Sequence, residues 1–253
     1  MLSKLKHKTS EIIVLLRSIP SPIVTVFAVS VIMMNLLANK SISLAVDWLA
    51  LDCGIIISWV SFLSMDIVTK HFGPKAATEL SLFAVFVNLL CCAVFFLAGT
   101  IPGMWGESFV AGSEHVINTA LDNTVSGTWY VLFGSTAAFI TSAVINNFLN
   151  AFIGKMCKKQ DGFGTYALRT YLSTAVGQFC DNMVFALIVS HSFFGWSLLQ
   201  CVTCSVTGMV VELLFEVVFS PIGYRVCKKW KANGIGSSYF AFLAEHKPSA
   251  RGT

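Results

Sequence analysis

The chain has 253 residues, of which 55% are hydrophobic and only 12% charged, and its mean hydropathy is +0.74. A soluble globular domain carries about twice that share of charge, so the composition excludes one and implies an integral membrane protein. The formal charge of +4 and pI near 8.6 would suit nucleic acid in a soluble chain; in a membrane chain the placement of Lys and Arg matters more than their sum, and no nucleic-acid partner is expected.

Apolar segments long enough to cross about 30 Å of hydrocarbon, roughly twenty residues each, predict six helices in an all-α membrane protein. They cover residues 19–38, 49–68, 76–98, 129–153, 170–189 and 197–219. Pro20 and Pro22 in "SIPSPI" suit the start of the first, and Pro221 suits a kink or end of the last. The second carries Asp47, Asp52, Ser58, Ser61, Ser64 and Asp66 in and around it, which predicts a polar interior on its inner side.

Basic residues set the orientation. All but Lys40 of the seventeen Lys and Arg fall before the first helix, between the second and third, between the fourth and fifth, or after the sixth. The long connection over residues 99–128 has Glu107, Glu114 and Asp122 but no Lys or Arg. Both termini are therefore expected in the cytoplasm and the acidic connection outside. The first apolar run is of spanning length and lacks a small-residue cleavage site, so no cleavable signal peptide is expected. Most of the eight cysteines lie in spans or cytoplasmic segments, which argues against a disulfide framework. Cys201 and Cys204 have redox or metal spacing, but in a hydrophobic span with no second pair they read as helix packing, and no metal or cofactor is expected. No linker or soluble segment is visible, so residues 1–253 read as one membrane domain.

Two helices carry matching polar stripes. "INNFLNAFI" at 145–153 resembles "CDNMVFALI" at 180–188, aligning Asn146 with Asp181 and Asn147 with Asn182. Thr174, Gln178, Asp181 and Phe185 share one face of the fifth helix, as Phe139, Ala143, Asn146 and Asn150 do on the fourth. Single amides of this kind serve as interhelical glue at about 0.6 kcal/mol each. A carboxylate, an amide and an aromatic ring on one face point further, to a polar cavity, because a lone carboxylate in hydrocarbon is expensive.

"FLSMDIVTKHFGPKAA", then "LRTYLSTAVGQFCDNMVF" and a last helix ending "SPIGY" resemble the queuosine-precursor transporter family, the YhhQ-type or vitamin uptake transporters, over essentially the whole chain. Asp66, Phe72 and Gly73 match the first motif; Arg169, Ser173, Thr174, Gln178, Asp181 and Phe185 match the second; Asn35 and Lys40 resemble the end of the family's first helix. Lys70 stands where the family pattern has an acidic residue, and Glu212, followed by Glu216, where it has a basic one. The resemblance implies a compact six-helix carrier in the bacterial cytoplasmic membrane. Its implied solute is a 7-deazaguanine, the cyano or aminomethyl precursor or queuine, destined for a modified base in transfer RNA.

The chemistry is compatible with that solute. A guanine-like edge offers N–H donors to a carboxylate, and its carbonyl needs a donor such as an amide. Asp181 with Gln178 and Asn146 or Asn147 supplies both, and Phe185, Trp59 or Phe62 could stack on the bicyclic ring. Asp66 is either a site residue or the i, i+4 ion-pair partner of Lys70. Arg169 reads as a snorkelling anchor or a carboxylate's structural partner; Asn35 and Thr174 are supporting positions; Glu212 or Glu216 could carry a coupling proton. A self-sufficient carrier needs no ATPase partners, and no GxxxxGK[ST] motif is present. Assembly into a homo-oligomer is compatible with everything above. Two other readings are a substrate-binding subunit of an energy-coupling-factor importer, which needs separate ATPases, and a membrane enzyme using Asp66 and Asp181, for which no supporting motif is present.

The charge segregation makes a direct prediction. A reporter fused after Thr253 should be cytoplasmic and one inserted near Gly112 external; the reverse result would overturn the orientation.

Overall fold

The computed structural model describes residues 2–42, 44–105, 112, 114–156 and 163–246, and within its helices the side chains of 2–6, 114, 143, 146, 147, 150, 151, 153–156, 163–171, 173, 174, 216 and 220 lie outside the description. The elements are α1 (Leu2–Ser18), α2 (Ser21–Leu37), the short antiparallel pair β1 (Ser41–Ile42) and β2 (Leu51–Asp52), α3 (Ile55–Phe72), α4 (Pro74–Thr100), α5 (Glu114–Ser126), α6 (Trp129–Met156), α7 (Phe163–Phe185), a π-helical turn (Ala186–His191), α8 (Ser192–Phe194), α9 (Leu198–Ala232) and α10 (Ser237–Glu245).

Three described helices are long and apolar enough to cross a membrane: α3, α4 and the Leu198–Phe219 part of α9. A fourth is added if the bent pair His7–Ser18 and Ser21–Leu37 is one span. That pair turns by 105°. Pro20 lies at the corner, where its missing N–H and its clash with the preceding residue stop α1 from continuing.

The boundaries depart from the sequence-based expectation in three places. The second span begins at Ile55 rather than Leu49, because Leu51 and Asp52 pair as a strand with Ile42 and Ser41. The last helix, whose span was expected to stop at Phe219 with a kink or end at Pro221, continues through Pro221 to Ala232. The acidic connection contains α5, whose Asp122 carboxylate accepts the Trp105 indole N–H at 2.6 Å.

The apolar pattern of α9 explains its exposure. Leu198, Val202, Val206, Val210, Leu214, Val218 and Ile222 recur every fourth residue and are all exposed, while Cys201, Ser205 and Glu212 are buried. A helix that turns its apolar stripe outward and its polar stripe inward suits hydrocarbon as its surroundings. Leu82, Phe86, Leu89, Leu90, Val94 and Leu97 make a similar outward stripe on α4.

The chain divides into two compact units, Met1–Val31 with Val60–Val87 and Glu216–Thr253, and Ile32–Trp59 with Asn88–Phe215. In the first, α3 and α4 meet at Phe72-Gly73-Pro74. Gly73 takes φ +93, a left-handed conformation that ends one helix, and Pro74 opens the next. The core of this unit joins Leu15 and Ile19 to Val68, Phe72, Leu80, Trp230 and Tyr239. Lys75 pairs with Glu11 at 2.5 Å, Lys8 with Glu79 at 3.8 Å, and the His71 ring meets the Ile235 carbonyl at 2.9 Å. These contacts dock α1 and α10, which are too polar or too short to have been expected as spans.

In the second unit α6 and α7 are the most extensively packed pair of elements. One small core joins Ala50, Ala186, Trp196 and Cys201, and another joins Ala38, Val131 and Val189.

Tyr239, 1% exposed, anchors α10 in the first core. Tyr239→Ala should cost about 3 kcal/mol, as large aromatic truncations do, read as a lowered unfolding midpoint of the purified protein in detergent. Tyr239→Phe should cost far less.

Candidate functional site

The second unit gathers three carboxylates, each met by a neutral donor. Asp52 stands just before α3, and its carboxylate accepts the backbone N–H of Gly54 at 2.7 Å and that of Ile55. Those are donors a helix start leaves unsatisfied, and the positive end of the helix dipole favours an anion there. Asp181 on α7 has the Ser142 hydroxyl of α6 as its hydrogen-bond partner. Glu212 on α9 accepts the Asn182 amide N–H at 3.2 Å.

The Asn182–Glu212 bond depends on a glycine. A Cβ at Gly208, one turn before Glu212, would come within 2.8 Å of Asn182 Nδ2 and 3.2 Å of its Cγ, so only glycine lets the amide lie against α9. Small residues serve membrane helix interfaces in this way, by letting polar side chains cross between helices.

Glu212 is within electrostatic reach of both Asp181 and Asp52, and Cys204 is within reach of both Asp52 and Glu212. The ion pairs among the described residues, Lys8–Glu79, Lys70–Asp66 and Lys75–Glu11, all belong to the first unit, so no described cation pairs with the three. Glu212 is 6% exposed, while Asp52 and Asp181 are half-buried. Gln178, one turn before Asp181 and Asn182 and on their face of α7, is 9% exposed, and its Oε1 has no hydrogen-bond partner. The chemistry of the cluster is that of an acceptor: it can receive N–H donors and positive charge.

Asp181 and Glu212 are thus brought together, and Gln178 lies one turn from Asp181 on the same helix. Phe185 packs against the small core of Ala38, Val131 and Val189. Trp59 stacks on Phe215 with ring centroids 5.8 Å apart, and its indole N–H donates to the Ile56 carbonyl at 3.0 Å. Asp66 is paired with Lys70 at 2.9 Å on α3, and it and half-buried Phe62 belong to the first unit. Asn35 is 2% exposed, and its Nδ2 has no partner. The side chains of Asn146, Asn147, Arg169, Thr174 and Glu216 lie outside the described residues. Cys201 is fully buried in a core cluster, its thiol facing the Ala186 carbonyl at 3.6 Å.

Sequence reasoning passed over Asp52, Ser142 and Gly208 as site residues. Asp52 carried a usable signal, an Asp two residues before a glycine at the head of an apolar run, which is a helix-start pattern. Ser142 and Gly208 carried none, since their roles arise only when α6, α7 and α9 meet.

A family profile described as "Putative vitamin uptake transporter" matches residues 52–226, the greater part of the chain and a stretch that holds Asp52, Ser142, Gln178, Asp181, Asn182, Gly208 and Glu212. No curated protein and no solved structure matches.

Asp52 lies outside the spans, and burial pushes its carboxyl up from 3.8 to about 6 against the opposing pull of the Gly54 and Ile55 N–H groups. A carboxyl raised in the folded state contributes stability that is fully present below pH 4 and lost as pH rises through 6. Melting curves of wild type and Asp52→Asn should therefore diverge between pH 4 and about 6.5, the variant gaining relative to wild type as pH rises. Parallel profiles would show that Asp52 does not titrate there.

Proposed function

Because the chain belongs to this vitamin uptake transporter family, we propose that it imports 7-deazaguanine precursors of queuosine across the bacterial cytoplasmic membrane as a six-span carrier with cytoplasmic termini. As a multi-pass transport protein it moves a solute and does not transform it. The observation that carries the substrate reading is the acceptor pair on α7: the Asp181 carboxylate one turn from the buried, unpartnered Oε1 of Gln178. Both face the need of a guanine-like edge, whose ring N–H and exocyclic amine are donors that a carboxylate receives together.

The deciding experiment gives this chain alone to a queuosine-auxotrophic bacterium lacking its own carrier and measures the modified base in its transfer RNA. Uptake supports the reading. Uptake only with added ATPase subunits would make the chain a binding subunit of a larger importer. Asp181→Asn replaces one acceptor oxygen with a donor facing a donor, which should weaken equilibrium binding of labelled precursor by about thirty-fold to a thousand-fold, or about 2 to 4 kcal/mol. Protein level should change little, since an amide is cheaper in hydrocarbon than a carboxylate. Wild-type binding in that variant would remove Asp181 from the site.

A further inference from the structure

We infer that the outward face of α9, just beyond its membrane-spanning part, is a docking site for the headgroup of an anionic phospholipid. The site belongs to the first unit, and nothing in it depends on which solute is carried.

The spanning part of α9 ends at Phe219, but the helix continues to Ala232. Arg225, Lys228, Lys229 and Lys231 lie on that continuation, and all four are exposed. Packing closes the opposite side. A Cβ at Gly223 would touch Ile67 and Leu63 of α3, the Cys227 thiol faces the Ile67 carbonyl at 3.5 Å, and Trp230 is buried in the core with Phe72.

The cations continue the face that hydrocarbon covers. With 3.6 residues per turn, Val218, Ile222, Arg225 and Lys229 fall within an arc of about 60°, and Lys228 borders it. Val218 and Ile222 are exposed, so one side of one helix turns from apolar to cationic. Arg225 stands six residues past Phe219. That is about 9 Å along the axis, and the headgroup layer adds roughly 5 to 8 Å to each side of the hydrocarbon. A side chain of this length covers the difference by snorkelling. Exposed Tyr224 stands at the same level, where amphipathic rings settle. Acyl chains along Val218 and Ile222 with a phosphate at Arg225 and Lys228 match both halves of the stripe; a free phosphate or an acidic protein surface matches only the second.

The four charges are not spent inside the protein. The ion pairs among the described residues, Lys8–Glu79, Lys70–Asp66 and Lys75–Glu11, use none of them, and residues 217–244 contain no Asp or Glu. The negative end of the helix suits Lys229 and Lys231 in the last turn. Arg225 is about two turns from Ala232, beyond the reach of that field, so a helix end does not account for the group.

The test titrates phosphatidylglycerol, or phosphatidylcholine with the same acyl chains, into the purified full chain in detergent and reads retained lipid by native mass spectrometry. The anionic lipid should be retained at a concentration at least about tenfold lower, the scale of two cations acting at a membrane surface. Arg225→Gln with Lys228→Gln should bring the two lipids within about threefold, and Arg225→Gln alone, the comparison if the double variant does not fold, should narrow the gap. Lys40→Gln, an exposed cation of the second unit, should leave the preference unchanged. Equal retention of the two lipids by wild type would overturn the site and leave an acidic protein surface as the partner these cations fit. A preference that survives the α9 substitutions, or falls as far with Lys40→Gln as with Arg225→Gln, would overturn it as well. So would displacement of the lipid by an equal concentration of inorganic phosphate, which would make the site one for the free anion.

Discussion

In hydrocarbon no solvent takes up an unmet hydrogen bond, and this constraint sorts the polar side chains of the chain by what they can donate. Hydroxyls settle at home. Ser30, Ser64, Thr141 and Ser205 each donate to the carbonyl four residues earlier on their own helix, at 2.7 to 2.8 Å. A carboxylate has no proton to donate and finds no free N–H inside a helix, so it must recruit a donor from elsewhere. Asp52 recruits the start of α3, Asp181 recruits α6, and Glu212 recruits α7. The acids thereby act as cross-links between elements, and the polar interior is a by-product of their search for partners.

That sorting also decides what could be read in advance. The outward apolar stripe of α9 follows from residue spacing alone, and so does the Asp66–Lys70 pair, because i, i+4 neighbours meet on any helix. Asp181 and Gln178 stood out because polar groups in an apolar run are conspicuous. The partnership of Glu212 did not. From the sequence it was a charge exchanged with the family's basic residue, and only the approach of α7 at Gly208 gives it the Asn182 amide as a partner. The hairpin that moves Asp52 out of the second span was hidden for a similar reason, since two-residue strands carry no periodicity. Helices α1 and α10 were missed because tertiary packing, through Leu15 and Tyr239, supplies the burial that their composition does not advertise.

The π-helical turn at Ala186–His191 follows directly on the segment that holds Asp181 and Asn182. Such a turn behaves as one residue inserted into an α-helix, advancing the phase of everything after it by about 100°. The likeness between residues 145–153 and 180–188 is therefore a likeness of letters whose geometric meaning expires at Phe185: in α6 the closing Ala-Phe-Ile continues the α-helix, while in the later copy Ala-Leu-Ile begins the wider coil. If the two segments descend from one ancestral repeat, the added residue is where the copies parted. The copy that carries a carboxylate is also the one whose helical phase shifts.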